Sequence, residues 1–203
     1  MKIGIVGNGF VGKATYQLLC SDIEIIAYDL NPELCKPKGT VITDLNQCEI
    51  VFVSVPTPMN KDGSCDSSLV REVLSSLNKA EKTIVVNKST VTPGTTENFN
   101  KKYNNLEILF NPEFLTERNS IEDFSNENRI ILGGPREATT KLKQIYSKVF
   151  PNAYVIKTGS THAEMIKYFT NSFLATKVSF ANEMHELCRN LNLDYDKVVE
   201  YAT

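Results

Sequence analysis

The chain has 203 residues, 41% hydrophobic and 23% charged, with a formal net charge of −2. That length suits one core of ordinary domain size with a smaller appendage, and the composition is that of a soluble globular protein. The slightly acidic balance excludes the basic footprint of a nucleic-acid binder, and no apolar run is long enough to cross a membrane.

The first strand is announced by "KIGIV" at 2–6, which passes straight into "GNGFVG" and then a helical pattern. A G-x-G-x-x-G run between a strand and a helix is the phosphate-binding turn of a dinucleotide fold. Gly7 permits the tight turn, Gly9 lets the backbone approach a pyrophosphate, and Gly12 lets the helix pack closely on the strand. The helix start, with Phe10 and Val11, offers free N–H groups and a positive dipole end. The next strand, "EIIAY" at 24–28, ends on Asp29. An acid there accepts from the ribose hydroxyls and repels a 2′-phosphate, so the expected cofactor is NAD rather than NADP. The bland alternative is a tight turn followed by an ordinary strand-end Asp.

Further short apolar runs follow: "IVFVSV" 50–55, "TIVVN" 83–87, "LEILF" 106–110, "RIIL" 129–132 and "YVI" 154–156. They are nearly continuous and rich in β-branched or aromatic residues, as strands buried on both faces are. Helical spacing appears between them, in Val70, Val73, Leu74 and Leu77 and again in Leu142, Ile145, Tyr146 and Val149. The alternation predicts an α/β domain over residues 1–158, a Rossmann-type doubly wound sheet that is mostly parallel.

Beyond Thr158 the pattern changes, and a boundary is expected near Gly159. Thr161 and Glu164 fit a capping box. Helical periodicity then runs to about Leu191, long for a globular helix. Met165, Ile166, Phe169, Phe173, Leu174, Val178, Phe180, Met184 and Leu187 spread over much of its circumference. One face cannot bury them all, so residues 159–203 read as the start of a helical central domain covered by another surface, most simply in a homodimer through this helix. "LDYDKVVEYAT" begins a further helix. The five cysteines (Cys20, Cys35, Cys48, Cys65, Cys188) and two histidines (His162, His185) lack metal-ligand or disulfide spacing, which points to reduced thiols and a cytoplasmic protein.

Four blocks, "SVPTPMNKDGSCDSS" (54–68), "KSTVTPGTT" (88–96), "NPEFLTERNSIEDF" (111–124) and "AEMIKYFTNSFLATKVSFANEM" (163–184), occur in this order. With the glycine turn they resemble the UDP-glucose/GDP-mannose dehydrogenase family from residue 2 to the last helices. The resemblance implies NAD-dependent oxidation of a nucleotide sugar, UDP-glucose being the nearest type, whose C6 alcohol becomes the carboxylate of UDP-glucuronate for polysaccharide synthesis.

The resemblance also implies roles. Thr57 lies beside the cofactor, and Thr90 lies near the nicotinamide and a catalytic water; a Ser-Thr pair capping the next helix is the alternative for Thr90. Asn111-Pro112-Glu113 reads as an N-cap, a first-position proline and a first-turn acid, with Glu113 and Glu117 on one helical face. In the family, the segment Glu113, Phe114, Leu115, Thr116 and Glu117 holds the nucleotide sugar, and Glu117 also approaches the nicotinamide and assists water. Lys167 and Asn171, four apart on a helix, stabilise the developing oxyanion. A surface Glu164–Lys167 ion pair is the alternative there.

Some positions depart from the family. Leu34, with Lys36 nearby, replaces a cation near the adenosine, and Thr116 replaces an Arg before Glu117. The family's catalytic cysteine sits in a glycine-rich segment beyond the long helix, and neither Cys65 nor Cys188 has that setting. The chain, a fragment or a shortened relative, is therefore expected to bind NAD(H) without making the acid. Two rivals remain: a 3-hydroxyacid or 6-phosphogluconate dehydrogenase-like enzyme, and a non-enzymatic NAD-binding module.

Overall fold

The computed structural model describes residues 1–18, 22–77 and 83–202, so the expected free thiol of Cys20 lies outside the described residues. Every apolar run became a strand: β1 (Lys2–Val6), β2 (Glu24–Tyr28), β3 (Ile50–Val53), β4 (Thr83–Asn87), β5 (Leu106–Phe110), β6 (Arg129–Gly133) and β7 (Tyr154–Thr158). They form one sheet in the order β2-β1-β3-β4-β5-β6-β7. All neighbouring pairs are parallel except β5 and β6, which meet antiparallel with Phe110 opposite Gly133.

Each central strand is buried on both faces, which is why the sequence runs are continuous rather than alternating. In β3, Ile50 and Phe52 join one core layer while Val51 and Val53 join the other. The first layer receives α1 (Phe10–Thr15), α4 (Ser120–Ser125) and α5 (Arg136–Val149), through Ala14, Phe124, Leu142, Ile145 and Tyr146. The second receives α2 (Ser68–Leu77) and α3 (Thr95–Lys102), through Val70, Val73, Leu74, Leu77 and Phe99. The apolar positions expected on α2 and α5 are thus the core-facing ones. The strand order reverses between β1 and β3, and in open α/β sheets ligands bind outside such a reversal.

The chain divides into two compact units, Met1–Lys167 and Tyr168–Thr203. The first unit reaches past the expected boundary near Gly159 because the opening turns of α6 (Ser160–Asn190) pack into it, with Ser160, Ala163 and Glu164 buried. In the second unit α6 ends at Asn190; Asn192, just beyond it, has a left-handed φ of 56°, and Leu193 N donates back to the Cys188 carbonyl at 2.9 Å. α7 (Tyr195–Ala202) follows, and the His185 and Tyr195 rings meet edge to face at 5.2 Å. Phe169, Phe173, Leu174, Val178, Phe180 and Leu187 are all exposed. Among the described residues, no helix is long and apolar enough to cross a membrane.

Two local expectations are overturned. Residues 111–116 are not helical, so Asn111 is no N-cap, and Glu113 and Glu117 share no helical face; the next helix is α4. The capping box also fails. The Thr161 hydroxyl donates to Glu97 Oε1 at 2.7 Å, and Glu164 serves a different helix. In both places long-range partners compete successfully for side chains whose local spacing suits a helix start.

Candidate functional site

The glycine turn joins β1 to α1. Gly7 has φ 85°, and a Cβ there would stand 2.5 Å from the Ser54 carbonyl oxygen at the end of β3. A Cβ on Gly12 would overlap the Gly7 carbonyl oxygen, whereas one on Gly9 would meet nothing within 4 Å. Two glycines therefore serve the fold's own packing, and the third keeps a space open. Gly9 brings no side-chain cap to α1, and its carbonyl accepts from Lys13 N at 2.9 Å. The leading N–H groups of the helix are left to an outside acceptor.

A cleft of about 660 Å³ opens there. Gly7, Gly9, Phe10, Val11, Asp29, Thr57 and Thr90 all line it; Gly12 lies behind, against Gly7. Asp29 is held from both sides: Oδ2 accepts from Asn8 N at 2.7 Å and Oδ1 from Asn31 N at 2.8 Å. Val6, Leu30, Ile42 and Val73 give the cleft an apolar wall. Bare amides, a fixed carboxylate and an apolar slot within one cleft fit a dinucleotide, with Asp29 placed to meet its ribose.

Further along the cleft, the Thr57 hydroxyl donates to the Thr90 carbonyl at 2.7 Å, and the Cys65 thiol approaches the same carbonyl at 3.5 Å. Neither Ser89 nor Thr90 caps α3. The Ser89 backbone is gripped by the Asn87 side chain, whose amide and carbonyl bond Ser89 O and N at 3.1 Å each.

Lys88 was not singled out by sequence reasoning, and it is central. It follows β4 directly, lines the cleft, and its side chain is almost wholly buried. It ion-pairs with Glu113 Oε2 and donates to Asn111 Oδ1 at 2.9 Å. The same Asn111 oxygen accepts from Tyr146 OH at 2.6 Å, while Asn111 Nδ2 donates to the Ile131 carbonyl at 2.9 Å. Burial alone would push the Lys88 ammonium down, but the charges of Glu113, Tyr146 and Glu127 outweigh it and hold its pKa above the ordinary lysine range. Burial pushes the Tyr146 phenol up, with Lys88 opposing and Glu113 adding. The half-buried Glu127 carboxyl is pushed up to about 7, chiefly by burial and then by Glu113, against Lys88 and Arg129. One signal for Lys88 was available: a lysine directly after a strand with an apolar centre, Ile84–Val86, is a lysine at risk of burial, and buried lysines are paired.

The expected substrate segment is split. Glu113 is buried, and its Oε1 has no hydrogen-bond partner among the described residues. Phe114 is half-buried, with Lys167 Nζ 5.1 Å and the Arg129 guanidinium 5.5 Å from its ring centre. Leu115 packs on the core, and Thr116 bonds Asp123 Oδ2 through its N–H (2.8 Å) and hydroxyl (2.6 Å). Glu117 is exposed and does not line the cleft. Lys167 donates to the Glu113 carbonyl. Burial holds its ammonium below the ordinary lysine range, with Glu113 opposing and Lys88 reinforcing. Glu164 is fully buried and bonded to α3, so the alternative of an exposed Glu164–Lys167 pair is excluded. Asn171 belongs to the second unit, where it is exposed. No cluster of side chains suited to a metal ion occurs among the described residues.

Residues 34–150 match the NAD binding domain of the UDP-glucose/GDP-mannose dehydrogenase family, and residues 161–203 match its central domain. The chain belongs to that family. UDP-glucose 6-dehydrogenase AglM of Haloferax volcanii is 36% identical over 246 residues, a match covering 98% of this chain and 57% of that protein. Among solved structures, a UDP-glucose dehydrogenase from Pyrobaculum islandicum superposes with a TM-score of 0.86 at 27% identity, covering 99% of this chain and 56% of that one. A ternary complex of GDP-mannose dehydrogenase from Pseudomonas aeruginosa gives the same TM-score at 25% identity and the same coverage. The chain spans about half the length of the curated relatives it matches. The chain thus carries the NAD binding domain of this family, and the cleft at the glycine turn has a lining that fits a dinucleotide.

Proposed function

We propose that this chain supplies the NAD-binding half of a nucleotide-sugar dehydrogenase that oxidises the C6 alcohol of UDP-glucose to UDP-glucuronate, in the cytoplasm and for polysaccharide synthesis. The observation that carries the reading is the run of Gly9, Asp29, Thr57 and Thr90 along one cleft, with Lys88 at its floor tied through Glu113 to Lys167.

In this reading the amides at Gly9, Phe10 and Val11 hold the pyrophosphate, and Asp29 accepts from the ribose hydroxyls. Bound NAD⁺ would supply the oxidant: two equivalents, one hydride each, are needed to carry the C6 alcohol to the acid, with water providing the second oxygen. Glu113 and Phe114 border the sugar, with Leu115, Thr116 and Glu117 completing the segment. The Lys167 ammonium, with Asn171, stabilises negative charge developing on the C6 oxygen. Burial of Lys167 strengthens that interaction by excluding water. Thr90, which lines the cleft, holds the water that completes the acid. The apolar face of α6 pairs with a second copy of the chain.

Titration calorimetry tests the reading directly. NAD⁺ and NADH are expected to bind, and NADP⁺ to bind at least about tenfold more weakly. No heat with NAD⁺ or NADH, or a preference for NADP⁺, would overturn it.

A further inference from the structure

We propose that Glu164 is a positioning residue: by capping α3 from the first turn of α6, it locks the Thr90 loop and Lys167 into one geometry. This rests on the reading that Thr90 and Lys167 serve the same substrate.

α3 begins behind Gly94, whose φ of 92° is left-handed and which has no side chain to cap the helix. The nearby Thr92 and Thr95 hydroxyls are bonded to each other at 3.0 Å. The cap comes instead from seventy residues away. Glu164 Oε2 accepts from Gly94 N at 2.6 Å, and Oε1 accepts from Thr96 N at 2.8 Å and from the Thr96 hydroxyl at 2.6 Å. A carboxylate at a helix N-terminus is favourable, and charge-assisted bonds of this kind are strong. Yet Glu164 is fully buried, and burial pushes its carboxyl up against those same bonds. A local Ser, Thr or Asp would cap α3 without that desolvation. What a local cap would not do is fasten α3 to α6.

Other contacts fasten the same turn. The Thr161 hydroxyl donates to Glu97 on α3, and Gly133 at the end of β6 passes so close to Ala163 and Ser160 that any side chain there would collide with them. Lys167 follows Glu164 within one helical turn. On the other side, Gly94 ends the loop that carries Thr90, whose carbonyl receives Thr57. The carboxylate therefore joins the loop at the cofactor cleft to the turn that aims Lys167 at Glu113. A cap serving stability alone predicts no effect on Lys167; a positioning residue predicts that Lys167 loosens when the cap is removed.

The test reads Lys167 without turnover. The folded chain is acetylated with limiting acetic anhydride, and labelling at Lys167 is compared by mass spectrometry with that at exposed Lys143. Glu164→Gln places an amide against two N–H donors and is expected to raise the Lys167/Lys143 ratio about fivefold, the scale of one kcal/mol of local opening. Thr96→Val removes one of the three bonds and is expected to raise it less. A core variant on α2, Val73→Ala, is expected to lower the melting temperature and leave the ratio unchanged. A wild-type ratio in folded Thr96→Val, or in Glu164→Gln where it folds, overturns the proposal, as does a rise of equal size in Val73→Ala. Failure of the wild-type chain to bind NAD(H) would instead sink the functional reading and leave the labelling result standing.

Discussion

The Lys88 ammonium and the Glu113 carboxylate form an ion pair almost wholly withdrawn from solvent, at the point where the cofactor cleft meets the Lys167 side of the domain. Breaking such a pair from one side leaves an uncompensated buried charge, which costs about 3–5 kcal/mol. Lys88→Met is therefore expected to lower unfolding free energy by that amount in urea titrations. Lys88→Met combined with Glu113→Gln is expected to recover most of it, because no bare charge remains. A single variant as stable as the wild type would show that the pair is not closed off from water.

Glu127 gives the domain a pH-dependent stability. Its carboxyl titrates at about 7 in the folded chain, raised above its ordinary value by burial and by Glu113. A carboxyl raised on folding binds its proton more tightly folded than unfolded. Its stabilising contribution is complete below the unfolded pKa and is lost as pH rises through about 7. Glu127→Gln, neutral throughout, is expected to gain about 2–3 kcal/mol relative to the wild type between about pH 5 and pH 8. Chemical denaturation across that range reads it. A wild-type-to-variant difference that stays flat with pH would contradict the assignment.

The three glycines of the turn separate by function. Gly12→Ala sets a methyl against the Gly7 main chain, which cannot retreat as a side chain would, and is expected to cost about 1–3 kcal/mol. Gly9→Ala meets nothing, and is expected to leave stability within about 0.5 kcal/mol of wild type. The same Ala intrudes where the pyrophosphate lies and is expected to weaken NADH binding about tenfold or more, read by fluorescence titration. Normal NADH affinity in Gly9→Ala would remove the pyrophosphate from that turn.

What could be read in advance was local. "IVFV" declares a strand buried on both faces because Ile50 and Phe52 answer one layer and Val51 and Val53 the other. The glycine turn and Asp29 are legible because strand, turn, helix and acid lie within about thirty residues, the span of one βαβ unit. The direction of β6 was not legible, since hydrophobicity carries no information on strand polarity. Asn111 and Glu164 were misread for one reason. Their neighbours satisfy the spacing of a helix start, but their partners (Lys88, Tyr146 and Ile131 for one, Gly94 and Thr96 for the other) come from distant strands and helices. Lys88 escaped notice because a cation reveals its burial only when its counter-charge is known.

The second unit offers a surface whose covering can be measured. Phe169, Phe173 and Phe180 recur on one side of α6, all more than half exposed, and the Phe169 and Phe173 rings stack at 6.3 Å. An apolar stripe of that kind in water favours association, and a charge placed within it opposes burial. If a second copy covers it, the wild-type chain sediments as a dimer, and Phe173→Glu with Phe180→Glu weakens the dimer about a hundredfold or more, on the scale of two lost aromatic anchors. The helical circular dichroism signal is expected to persist, because both positions face solvent in the single chain. A wild-type chain that stays monomeric at high concentration, or a double variant that associates as well as the wild type, would rule out this stripe as the dimer contact.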